Sequence, residues 1–202
     1  DREREVRAPG LRDRRPAAVP APMMATVAFE IVRTLGVFRR YGAVVGAVCV
    51  GFVHHAFYEI FDHLGPQLRW WEWSVDNPMN QPMFDSVPLG SVVVFAALWP
   101  MSLALCVQLF VGRQSDQGKR FTGPQLVWRT IVVGLLASLG TAILPLPATV
   151  VGAISHGSMA GVVYAAELVA ITAVAVPVLF LQWQRLRSDT FTGERYANPV
   201  IL

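Results

Sequence analysis

His54, His55, Tyr58, Glu59, Asp62 and His63 crowd into ten residues at one end of an apolar run. Positions four apart on a helix lie on neighbouring turns of one face. His55, Glu59 and His63 therefore form one column, and His54, Tyr58 and Asp62 the column beside it. A carboxylate and imidazoles in one column can exchange a proton, and the same groups can offer lone pairs to a metal ion. A second acidic residue, Glu167, lies in another apolar run, with Tyr164 about one turn before it. Hydrocarbon does not solvate such groups, so protein or trapped water must.

Composition says what kind of element has to carry them. The chain has 202 residues, 53% hydrophobic and 15% charged, with mean hydropathy +0.44. Soluble domains are roughly 25% charged. Several uncharged runs reach the roughly 20 residues a helix needs to cross a bilayer core. These features predict an all-α integral membrane protein: a four-helix transmembrane bundle with an N-terminal amphipathic helix lying in the interface. The membrane domain is expected over residues 23–187, with spans near 41–62, 88–111, 126–144 and 158–183.

The flanking segments are of other kinds. Residues 1–22 mix dense charge with Pro and Ala and are expected to be flexible; they lack the apolar stretch of a signal peptide. Residues 23–40 carry Val27, Ile31, Leu35 and Phe38 at helical spacing but also Glu30, Arg33 and Arg39, which predicts an interfacial helix. Residues 63–86 form a tryptophan-rich polar loop, with Pro66, Pro78 and Pro82 opposing a long helix. Pro145 and Pro147, followed by Gly152, His156 and Gly157, predict a re-entrant or surface segment before the last span. Residues 188–202 read as a loosely packed tail.

Charge distribution sets orientation and partners. The net charge is +3 and the pI about 9.2, but the basic residues collect between spans rather than in a nucleic-acid patch. Arg39, Arg40, Arg113, Lys119, Arg120, Arg129, Arg185 and Arg187 fall at alternate span ends, while the other loops carry Glu72, Asp76 and Asp85. The positive-inside rule then places the chain in the cytoplasmic membrane with both termini cytoplasmic. Membrane lipids are the expected partners, with other membrane subunits or self-association as further ones; no nucleic acid is expected. Cys49 and Cys106 both fall inside spans and read as small packing residues.

Three uses of the ionisable groups compete. Glu167 lies ~15 Å from the outer end of its span and His55 ~12 Å from the end of its own, at 1.5 Å per residue, so the two are placed to face each other. The structural use is that buried His and Glu bond each other and lock helix register, as in a non-catalytic subunit of a larger membrane complex. The chemical use is acid–base catalysis on a lipid, with Glu167, Glu59 and His55 as the catalytic groups. A buried carboxylic acid can protonate an alkene, and a second carboxylate or His can collect the proton. Tyr58, Trp70, Trp71, Trp73 and Tyr164 would line the substrate site, the indoles roofing it and stabilising positive charge. The third use is metal or haem binding through His55, Glu59, His63 and His156; no cofactor is identified by spacing.

One set of pieces resembles a family. Glu59, the Trp70-Trp71-Glu72-Trp73 loop, Ser86-Val87-Pro88-Leu89 and the following Trp99 are similar to the multi-pass carotenoid- and terpenoid-modifying membrane proteins of the carotenoid hydratase type. The resemblance covers residues 59–99 and implies an isoprenoid substrate handled inside a helical membrane fold.

Overall fold

The computed structural model describes residues 20–76 and 80–189. The expected flexible segment falls outside them apart from its last three residues, and the tail apart from its first two. The chain is mostly helical. Helix α1 covers Pro20–Thr34 and α2 Val37–Gln67. A two-stranded hairpin follows, β1 (Met83–Phe84) antiparallel to β2 (Val87–Pro88). Helix α3 covers Ser91–Ser115, α4 Gly123–Ile143, α5 Leu146–Ile154 and α6 Ala160–Asp189.

Four helical segments are long and apolar enough to cross a membrane: Val37–Gln67, Ser91–Ser115, Gly123–Ile154 and Ala160–Arg187. Their number is the expected one, and their bounds differ for physical reasons. Helix α2 runs past Asp62 to Gln67 because the polar side chains of its last turns find partners, as described below. Helix α1 ends at Thr34, and Gly36 (φ 74) turns the chain directly into α2. Gly42 (φ 83, ψ 178) then interrupts α2 near its start, a conformation open to glycine and strained for other residues. The segment 145–157 is largely the short helix α5, packed against α6.

Helix α2 is the hub, touching α1, α3 and α6, while α4 lies against the far side of α3. The α2–α3 contact is close: a Cβ on Gly51 would come within 2.7 Å of the Ala97 carbonyl. Across α3 and α4, Ser102 Oγ donates to the Ala137 carbonyl at 3.1 Å and sits against Gly140. One apolar cluster joins Ala28, Val32, Val37, Phe38, Val50, Ala104 and Ala175, and a second joins Val93, Ala97, Leu98 and Ile171. Cys49 and Cys106 are free and buried in packed clusters.

The outward faces are apolar as well. Ile60, Phe95, Leu135, Val169 and Phe180 are all exposed. Cover is uneven: 56% of the most apolar window of α3 is buried, against 11% for α6.

The two ends of the helices differ in charge. At one end Arg33 pairs with Asp116 at 3.3 Å, Arg129 donates to the Phe110 carbonyl and to Gln114 at 3.1 Å, and Gln182 donates to the Leu35 carbonyl at 2.9 Å. These bonds bring together the basic ends of α1, α3, α4 and α6. The tryptophan loop and hairpin lie at the opposite end of α2 and α3.

Candidate functional site

The His55–Glu59–His63 column forms on α2 as its spacing predicts. Glu59 Oε1 lies 3.4 Å from His55 Nδ1, and Oε2 lies 3.3 Å from His63 Nδ1. His63 Nδ1 is also 3.0 Å from the Glu59 main-chain carbonyl, and its ring meets the edge of Phe84 on β1, with centroids 6.1 Å apart. One carboxylate thus lies within ion-pair distance of two imidazoles, without a hydrogen bond between His55 Nδ1 and Glu59 Oε1, on a flank of the bundle that is only partly buried.

The adjacent column is the one the bundle encloses. His54 and Asp62 are 0% and 2% exposed. Ser91 Oγ donates to Asp62 Oδ2 at 2.7 Å. Ser91 is the first residue of α3, so this group ties the last turns of α2 to the start of its neighbour.

His54 Nδ1 lies 2.7 Å from the Ala96 carbonyl. A carbonyl only accepts, so Nδ1 carries the proton. In an α-helix Ala96 O would receive the N–H of residue 100, but that residue is Pro100 and has none. The chain before it is π-helical over Ser91–Leu98, and Trp99 N–H reaches back to Val94 O. Pro100 thus leaves at Ala96 a carbonyl that His54 can use. The ring is held by Tyr58, stacked at 5.4 Å, and by the edge of Trp99 at 5.8 Å.

Glu167 stands in contrast. Both carboxylate oxygens are shielded from solvent and have no hydrogen-bond partner. Tyr164 lies one turn before Glu167, and its hydroxyl approaches Gly90, next to Ser91 (4.0 Å from a Cβ built there). Among the described residues no hydrogen bond or ion pair joins Glu167 to Glu59 or His55. Of the three residues assigned catalytic roles, Glu59 and His55 pair with each other, and Glu167 bonds neither.

Among the described residues no three of His, Cys, Asp or Glu gather so as to hold a metal ion. In the column both imidazole Nδ1 atoms face the carboxylate between them. His156 sits exposed on the turn before α6, at φ 51.

The tryptophan loop forms a cleft of about 760 Å³ lined by Pro66, Arg69, Trp71, Glu72, Trp73, Val75, Met83, Asp85 and Ser86. Trp71 packs on Gly65, leaving no room there for a side chain. Trp71 and Trp73 are partly buried, with shielded, unpartnered indole N–H groups, while Trp70 is 50% exposed. Tyr58, Glu59, Tyr164 and Glu167 are not among the residues that line this cleft.

Sequence reasoning left out His54, Asp62 and Ser91 as site residues, although the first two were seen as a column. Pro100 was the available signal, since a proline inside an apolar run marks an unfilled carbonyl four residues earlier. Comparison with family models, with curated proteins and with solved structures finds no match.

Proposed function

We propose that the chain is an integral membrane enzyme that carries out acid–base chemistry on an isoprenoid or other lipid substrate. Its four apolar segments are the spans, and α1 is the interfacial helix. The clustering of Arg33, Arg129 and Arg185 with the other basic residues at one end supports the cytoplasmic membrane, with both termini cytoplasmic.

One observation carries the chemical reading: the Glu167 carboxyl is shielded in an apolar span and has no partner. Structural polar groups at such depth are bonded, and an unbonded one costs about 1–3 kcal/mol. A carboxylic acid left without a partner in low dielectric is suited to give its proton to a weak base such as an alkene. Glu167 is the acid in this scheme, and Glu59, held between His55 and His63, is the base. Glu167 protonates one carbon of a double bond, and Glu59 removes a proton from the carbon next to the resulting cation. The double bond shifts, and the enzyme resets when the proton returns from Glu59 to Glu167. Tyr58 and Tyr164 are the substrate-lining groups in this scheme.

Deuterium tests this. Purified protein in nanodiscs containing squalene or a carotenoid, equilibrated in heavy water, should load deuterium onto the polyene. Glu167→Gln should slow loading by about 10²-fold or more, the usual contribution of a general acid, with the helical circular dichroism unchanged. Equal labelling by the two proteins rejects the assignment.

The sparse cover of α6 favours a second reading, a non-catalytic subunit whose last span meets a partner helix. On that reading neither protein labels the polyene.

A further inference from the structure

The cleft in the tryptophan loop holds chemistry that the acid–base scheme does not use. Arg69, Glu72 and Asp85 all line it, together with Trp71 and Trp73. Among the described residues none of the three charged groups has an ion-pair partner, whereas Glu59 and Asp116 do. Arg69 (φ 57) and Asp85 (φ 54) both occupy the left-handed region, a backbone cost that persists only where the surroundings hold it. Trp71 is fixed by its packing on Gly65. The cleft therefore offers one cationic fork, two carboxylates and two indoles in a single concavity. Its floor includes Pro66, in the last turn of α2, which places it at the end of the spans where head groups lie.

We propose that this cleft binds the head group of a zwitterionic phospholipid, the ammonium against Trp71, Trp73 and the Glu72 and Asp85 carboxylates, the phosphate on Arg69. Aromatic side chains attract quaternary ammonium groups through their negative faces, and a guanidinium fork matches phosphate oxygens. An anionic lipid such as phosphatidylglycerol satisfies Arg69 alone and meets two carboxylates. The cleft should therefore reject it relative to phosphatidylcholine. The inference rests on the reading that α2 crosses a bilayer, and it is independent of the chemistry at Glu167.

The test uses the full chain in nanodiscs of equal phosphatidylcholine and phosphatidylglycerol, followed by mass spectrometry of the lipid retained. The wild-type protein should retain phosphatidylcholine over phosphatidylglycerol by about 2- to 5-fold, the size of one exposed ion pair between the ammonium and a carboxylate. Glu72→Gln with Asp85→Asn should abolish the preference. Arg69→Asn should weaken retention of both lipids and leave the preference. Asn tolerates left-handed backbone, so the variants at 69 and 85 keep the loop geometry. No preference in the wild type, or a preference that survives the double substitution, overturns the proposal. So does displacement of the lipid by soluble glycerophosphocholine, which would identify a water-borne ligand. A chain that does not enter nanodiscs refutes the membrane reading and this one together; one that enters without preference refutes the head-group site alone.

Discussion

His54 and Glu167 set the same problem in two helices and meet opposite answers. Each is an ionisable side chain in an apolar span. The imidazole is fully buried, donates to the Ala96 carbonyl and is gripped by Tyr58 and Trp99. The carboxyl has its oxygens shielded and bonded to nothing. Folding selects partners for buried polar groups because leaving them unmade is costly. A group that keeps its cost without a partner points to a use outside stability. The contrast separates a histidine that holds two helices together from a glutamate that does not.

Truncation should expose the difference most strongly at the histidine. His54→Ala removes a buried ring, its two aromatic contacts and the donor to Ala96. A stability loss of about 3–5 kcal/mol is expected, as for other large buried rings, read from unfolding in detergent micelles. A loss below about 1 kcal/mol would mean that the α2–α3 contact does not depend on this ring. Glu167→Leu should act in the other direction. It removes two shielded oxygens and leaves an apolar side chain, and stability should rise by about 1–3 kcal/mol while polyene labelling disappears. If Glu167→Leu instead destabilises as much as His54→Ala, the carboxyl is a structural group and the contrast is broken.

What could be read from residues alone divides along the same line. Four apolar runs are visible because a hydrocarbon environment demands long uncharged stretches, and the column His55–Glu59–His63 is visible because helix geometry is local. The partners of the neighbouring column were not. Asp62 meets Ser91 and His54 meets Ala96 only because α2 lies against the start of α3, and that register is set by close packing at Gly51 rather than by a local pattern. The extent of α2 was underestimated for the same cause: charge at Asp62 and His63 suggests an exit from the apolar run, but partnered charge does not end a helix. The tryptophan loop reads as an aromatic cap, yet the turn geometry that makes it a cleft of its own, with Arg69 and Asp85 left-handed, leaves little trace in composition.

Pro100 supplies the finest test, because two effects of known sign oppose each other there. A proline inside a helix ordinarily costs about 3 kcal/mol relative to alanine, so Pro100→Ala taken alone should stabilise α3. The new N–H at position 100 would also restore the α-helical donor for Ala96 O and compete with the His54 Nδ1–H. Displacing that imidazole leaves a buried donor unmet, at about 1–3 kcal/mol. The π-helical stretch Ser91–Leu98 has already adapted to the missing donor, which reduces what the substitution can recover. The net change should therefore be within about 1 kcal/mol of zero, with a shift in the His54 imidazole nitrogen resonances reporting the lost bond. A stabilisation near the full helix-proline value, with those resonances unmoved, would show that the carbonyl was not held for His54, and the histidine would join Glu167 as a buried group whose place the fold does not explain.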